Sequence, residues 1–228
     1  MTTQAEKFKL FKINKAIKEE KEKLSPAELK EYYKLQIMSG VSNQAETNYN
    51  QKTIPEIMKF LNMYYNYYKK SKDTVIDIGC GEGIALDIFK REGFKKTVGV
   101  EINPEKVKKA RDSEHCVLEL DFHNIHNIGQ YDLIYSSHTL EHAWNIDKAL
   151  KNLLKLFKEE SVGFIILPVE GVTWKHGKGD AHTFPFNCLE YIYEIFSKYF
   201  HIIFMLEKQN RGMEAYLIIE KKTTSKGV

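Results

Sequence analysis

Cysteine is scarce in this 228-residue chain. The three present, Cys80, Cys116 and Cys188, are odd in number, far apart and without a C-x-x-C pair. This argues against a disulfide framework or a structural zinc site and suits a reducing compartment. Long apolar runs are missing as well. The longest, such as Val162 to Val169, falls well short of the roughly 20 residues of a membrane-spanning helix. The first residues also lack the apolar stretch of a signal peptide. The expectation is a cytoplasmic protein with no membrane partner. Neither sign of charge dominates: 34 basic and 31 acidic residues leave a net charge of +3. That balance names no partner by itself and gives no strong case for nucleic acid, so none is expected.

An apolar content of 43% over 228 residues suffices for one good core, most simply a single domain with an appendage. Residues 4 to 24 are rich in Lys and Glu, with Leu10, Ile13, Ile17 and Leu24 at near-helical spacing. Ser25 and Pro26 read as the cap and first turn of a second helix to about Met38. These N-terminal helices resemble a lid or an arm of a homodimer; a solvated extension is the plain alternative. The polar stretch at 39 to 51 reads as a loop, and helical spacing resumes from Ile54 to Tyr68. The division expected is an N-terminal helical segment, 1–72, and a main domain, 73–228.

From residue 73 strands alternate with helices. Strands are predicted at 74–78, 97–101, 116–120, 131–136 and 162–167, with helices at 83–92, 104–112 and 145–158 between them. In the last of these, Ile146, Ala149, Leu150, Leu153, Leu154 and Phe157 form one apolar stripe. Such alternation predicts a doubly wound α/β fold with helices on both faces of a mostly parallel sheet. A long irregular segment, 168–186, then leads to a helix carrying Leu189, Ile192, Tyr193 and Phe196. Two strand-like runs, 200–207 and 214–220, follow as an antiparallel hairpin around "KQNRGM". Seven strands are expected in all.

In such a sheet a ligand sits where the first strand turns into its helix. "VIDIGCGEG", residues 75–83, places Gly79, Gly81 and Gly83 on that turn, where the backbone must bend tightly and admit a ligand without a β-carbon in the way. The third glycine of the dinucleotide fingerprint would fall at Ile84, so nicotinamide binding fits poorly. Glu101 ends the second strand, where a carboxylate can accept from both hydroxyls of a ribose. "ELDFHNI" puts Asp121 and Phe122 at the end of the third strand, placed to accept from an adenine amino group and to pack on the base.

Together "VIDIGCGEG", "VGVEINPEKV", "LDF" and "YDLIYSSHTLEH" resemble the S-adenosylmethionine-binding series of the class I methyltransferases over about residues 73 to 221. The terminal antiparallel hairpin fits the same family. The resemblance implies that Asp77 and Gly79 surround the methionine end of the cofactor, Glu101 takes the ribose, and Asp121 with Phe122 takes the adenine. Cys80, Gly81, Gly83, Ile102 and Ser137 complete the implied cofactor contacts. The implied chemistry is in-line attack of an acceptor on a sulfonium methyl group, with the enzyme supplying alignment and a base.

"SSHTLEHAW" offers His138, Glu141 and His142 beyond the fourth strand. Many metal-free methyltransferases carry Leu-Glu-His here, where the side chains orient substrate or tie the loop. The ubiquinone-pathway O-methyltransferases and the terminal small-RNA 2′-O-methyltransferases carry Glu-x-x-Glu-His with a distant His, and hold a divalent metal with them. Here His138 stands in place of the first Glu, and His182 is the distant histidine. A shell of His138, Glu141, His142 and His182 would favour manganese, iron, cobalt or zinc over magnesium. Without metal, His142 or His182 would serve as a catalytic base. The remaining histidines, among them His115 and His123, lack such a grouping. Trp174, His176, Asp180, His182 and Phe184 lie in the long loop and are candidates for the acceptor wall. The resulting expectation is an O-methyltransferase acting on a hydroxylated small molecule, first a sugar or nucleotide-linked sugar and second a catechol-like ring. An N-acceptor enzyme with a His base, or a non-catalytic cofactor-binding subunit, stands as the alternative.

Overall fold

The computed structural model describes residues 25, 27–28, 30–31, 34–35, 44–68, 72–169, 186, 188–209 and 212–222. Within them the chain forms helix α1 (Gln44–Tyr68), then β1 (Thr74–Ile78), α2 (Ile84–Arg91), β2 (Lys96–Glu101), α3 (Pro104–Asp112) and β3 (Val117–Glu119). These are followed by β4 (Tyr131–Ser137), α4 (Ile146–Leu154), β5 (Phe157–Pro168), α5 (Leu189–Ser197), β6 (Phe200–Gln209) and β7 (Met213–Lys221). The seven strands make one sheet in the order β3-β2-β1-β4-β5-β7-β6. β1 runs parallel to β2 and β4, whereas β7 is antiparallel to both β5 and β6. This is the doubly wound, mostly parallel sheet with a C-terminal antiparallel hairpin that the pattern predicts.

The central strands are buried on both faces, and successive residues of β1 serve opposite cores. Val75 packs with Ile57, Leu61, Phe89 and Phe164 on the side of α1 and α2. Ile76 and Ile78 pack with Leu150, Leu153, Ile165 and Phe196 on the side of α4 and α5. Local signals set the helix starts. Asn103 caps α3, its side chain accepting from the Glu105 and Lys106 N–H groups, with Pro104 in the first turn. Asn145 caps α4 through the Lys148 N–H.

Several boundaries differ from expectation. α4 ends at Leu154, and Phe157 opens β5, opposite Tyr131. Phe157 is fully buried against Phe200, so its apolar character serves a strand rather than the helical stripe. β5 is accordingly longer than 162–167, and β3 shorter than 116–120. α1 begins at Gln44 and runs through Pro55, where a loop to residue 51 is expected. Gln, Ala and Glu are good helix formers, so a polar run without an apolar stripe can still be helix. Most of the predicted helices at 4–24 and 26–38 lies outside the described residues; 27–28, 30–31 and 34–35 are helical.

No helix among the described residues is long and apolar enough to cross a membrane.

Candidate functional site

The strand order reverses between β1 and β4, since β1 leads outward to β2 while β4 leads to β5 on the other side. A crevice therefore opens at the carboxyl ends of these two strands. Gly79 follows β1 and Thr139 follows β4, so the turns that line the crevice come from both. The turn after β1 is bound to β2, with the Gly79 and Cys80 N–H groups donating to the Val100 carbonyl at 2.8 and 3.1 Å.

The three glycines serve different purposes. All have positive φ, 81° at Gly79, 55° at Gly81 and 91° at Gly83. A β-carbon at Gly79 would collide with the Thr139 side chain, and one at Gly83 with the buried His115 ring. Among the described residues, a β-carbon at Gly81 would meet nothing within 4 Å. Gly79 and Gly83 thus allow protein to pack against protein, and Gly81 leaves an open face.

Glu101, at the end of β2, holds that open face in place. Its Oε2 accepts from the Gly81 N–H at 3.0 Å, and its Oε1 from the Ile102 and Asn103 N–H groups at 2.8 and 2.9 Å. A carboxylate has about four lone-pair sites, so room remains for one further donor, where both hydroxyls of a ribose are expected. Ile102 thereby contributes its backbone to the same corner. Asp77 is buried at the end of β1. Burial, and then the neighbouring Glu101 carboxylate, push its pKa up to about 8. Burial also pushes the Cys80 thiol up, and its sulfur packs close to where a β-carbon at Gly99 would stand.

At the end of β3, Asp121 caps a short helical turn, Phe122–Asn124. Its Oδ1 accepts from both the His123 backbone N–H, at 2.8 Å, and the His123 Nδ1, at 2.7 Å. Burial raises the Asp121 pKa, but these His123 bonds outweigh it and hold the carboxyl below its usual value. His123 is fully buried and lies between two rings, Phe122 at 4.4 Å and Trp144 at 4.6 Å, each inclined by 28°. Lys30 and Lys148 sit over Trp144, 5.7 and 5.2 Å from its ring centre.

At the end of β4, partly exposed Ser137 accepts from the Thr139 hydroxyl through its carbonyl. His138 adopts φ 49°, a left-handed conformation uncommon outside glycine and often kept at functional sites. Its Nε2 lies 3.2 Å from Glu214 Oε1, and its Nδ1 lies 3.6 Å from Glu141 Oε1. Both carboxylates are buried, and Tyr216 donates to the other oxygen of Glu214 at 2.9 Å. The half-exposed His138 ring thus lies between two buried carboxylates. His142 is half-buried on the Leu140–His142 turn.

His182 lies outside the described residues, as do Trp174, His176, Asp180 and Phe184. Among the described residues, no group of three or more His, Cys, Asp or Glu side chains is arranged to hold a metal ion. Three contributors escape the sequence pattern: Thr139, Glu214 and the His123–Trp144 stack. Glu214 leaves one trace, an acid at an inward position in the apolar run "MEAYLII".

Comparisons with known proteins agree with this geometry. The family described as "Methyltransferase domain" matches residues 48–188. The chain is 29% identical over 103 residues to a juvenile hormone acid O-methyltransferase of Bombyx mori, covering 41% of this chain and 37% of that protein. It is also 29% identical over 114 residues to a norajmaline N-methyltransferase of Rauvolfia serpentina, covering 45% and 38% respectively. The chain thus spans less than two fifths of either relative's length. The crystal structure of an S-adenosylmethionine-dependent methyltransferase from Clostridium acetobutylicum superposes with a TM-score of 0.60 at 12% identity, covering 77% of this chain and 97% of that one. The chain therefore belongs to the methyltransferase-domain family and carries the fold of the class I S-adenosylmethionine-dependent methyltransferases.

Proposed function

We propose that this protein transfers a methyl group from S-adenosylmethionine to a hydroxyl of a small molecule, a sugar or nucleotide-linked sugar being the first candidate and a catechol-like ring the second. One observation carries the cofactor reading: the open face of Gly81, held by a buried Glu101 carboxylate that keeps one acceptor site in reserve. S-adenosylmethionine, when bound, supplies an electrophilic sulfonium methyl group. Glu101 accepts from a ribose hydroxyl, Asp121 from the adenine amino group, and Phe122 packs against the base. Asp77, Gly79, Cys80, Gly83, Ile102 and Ser137 shape the remainder of that pocket.

The acceptor faces the polar turn after β4. His138, Glu141, His142 and His182 are proposed to gather a divalent ion, manganese or a similar metal. The mixed imidazole and carboxylate donors suit such an ion. The 3.6 Å gap between His138 Nδ1 and Glu141 Oε1 is about what two ligands of one ion at roughly 2.1 Å leave between them. Glu214 on the far side of the His138 ring matches the carboxylate that commonly orients a metal-binding histidine. A bound cation would lower the acceptor hydroxyl's pKa and fix its direction.

The metal-free reading assigns proton removal to His142 or His182, with an O- or N-acceptor. The two relatives named above, one an O- and one an N-methyltransferase, keep that reading in play. The N-terminal segment is proposed as a cover, in keeping with Lys30 lying over Trp144. Methyl transfer to a panel of sugars, nucleotide sugars, catechols and amines, each with and without chelator, tests the assignment. Turnover of a hydroxylated acceptor that stops with chelator supports it; turnover of amines alone overturns it.

A further inference from the structure

We propose that His123 is a positioning residue for recognition of the purine 6-amino group, fixing the Asp121 carboxylate so that one oxygen is engaged inside the protein and the other is offered to the ligand. The inference rests on the reading that S-adenosylmethionine binds with its adenine at the end of β3.

Asp121 Oδ1 receives two hydrogen bonds from one residue, the His123 N–H at 2.8 Å and Nδ1 at 2.7 Å. Two donors converging on one oxygen fix the torsion of a side chain that would otherwise swing freely. A carboxylate only accepts, so Nδ1 carries the proton. At the other end of the ring, Nε2 accepts from the Asn145 N–H at 3.4 Å. His123 is thus a neutral imidazole with a single tautomer, bridging the end of β3 to the cap of α4. Burial lowers its pKa and so favours that neutral state.

Phe122 and Trp144 clamp the ring from its two faces, so the direction of the Nδ1–H bond is set by packing. The Asp121 side chain keeps 15% exposure, whereas His123 has none, so the carboxylate is the half of this pair that a ligand reaches. The nearby Lys148 ammonium favours the ionised carboxylate. An ionised, immobilised carboxylate oxygen accepts from a 6-amino group and repels the 6-oxo group of an inosine analogue, which offers an acceptor in its place.

Calorimetric titration of the full chain with S-adenosylhomocysteine and S-inosylhomocysteine tests this. The wild type should prefer the adenosyl compound by roughly ten-fold or more, the scale of a hydrogen bond to a charged group. His123→Phe keeps a ring in the stack and the backbone N–H but loses the ring donor, and its preference should fall several-fold toward unity. His123→Asn loses the ring but places an amide N–H near the position of Nδ1–H, and should keep the preference even where overall affinity drops. Unchanged preference in a folded His123→Phe overturns the proposal, as does its loss in a folded His123→Asn. A wild type that binds both compounds equally overturns this inference alone. A wild type that binds neither overturns the cofactor reading beneath it.

Discussion

Glu101→Gln is the substitution whose consequences the structure defines best. The carboxylate accepts three backbone N–H groups, from Gly81, Ile102 and Asn103, and is 9% exposed. Glutamine retains one carbonyl oxygen, so its amide nitrogen must face either Gly81 or the Ile102–Asn103 pair, donor against donor. At least one N–H loses a charged acceptor, a loss of about 1.5 to 3 kcal/mol. A destabilisation of about 1.5 to 3 kcal/mol lowers the melting temperature of a chain this size by roughly 3 to 12 °C. Affinity for S-adenosylhomocysteine should fall by a further roughly ten-fold or more, because the remaining acceptor site loses its charge and the Gly81 loop its anchor. Scanning calorimetry gives the first quantity and titration calorimetry the second. A variant that melts with the wild type and binds the ligand equally well would refute the role given to this residue.

The glycines should separate by position: Gly79→Ala collides with Thr139 and should cost several kcal/mol in urea unfolding, whereas Gly81→Val should cost only about 1 to 2 kcal/mol of backbone strain yet abolish ligand binding. Equal stability losses at the two positions would contradict their assignment. Asp77, raised from 3.8 to about 8, keeps a proton that the unfolded chain releases across that window. Its stabilising contribution is therefore complete below the lower value and is lost as pH rises to the upper one. Asp77→Asn should flatten the decline in stability between pH 5 and 8, by up to about 1.4 kcal/mol per pH unit; identical profiles by urea unfolding would remove this effect. If a metal is held, dialysis against chelator should abolish methyl transfer, manganese should restore it, and His138→Ala should lose metal affinity by calorimetry. Full activity in metal-free protein would leave only the histidine base.

The parts of this site legible in the sequence are those set by short stretches of chain. A glycine-rich turn after a β-branched strand, and acids at the ends of the next two strands, can be read locally because each strand end contributes its own turn. The distinct roles of Gly79, Gly81 and Gly83 cannot, since they depend on Thr139 and His115 arriving from other elements. Glu214 stands 76 positions from His138, and the pairing arises only from the antiparallel register of β7 with β5. His123 is indistinguishable in sequence from a packed histidine, because its function depends on which neighbour its ring addresses. The end of α4 is hidden for another reason: Leu153, Leu154, Leu156 and Phe157, interrupted only by Lys155, keep an apolar character while the backbone passes from helix to strand. Periodicity reports burial, and burial is shared by both.

The claim on which the rest depends is that the crevice at Gly81 and Glu101 binds S-adenosylmethionine. Titration calorimetry of the wild-type chain with S-adenosylhomocysteine addresses it without knowledge of the methyl acceptor. One site per chain should saturate with micromolar affinity, and the Gly81→Val variant, folded by circular dichroism, should give no binding heat. A folded wild type without binding heat, or a Gly81→Val variant that binds as the wild type does, would contradict it.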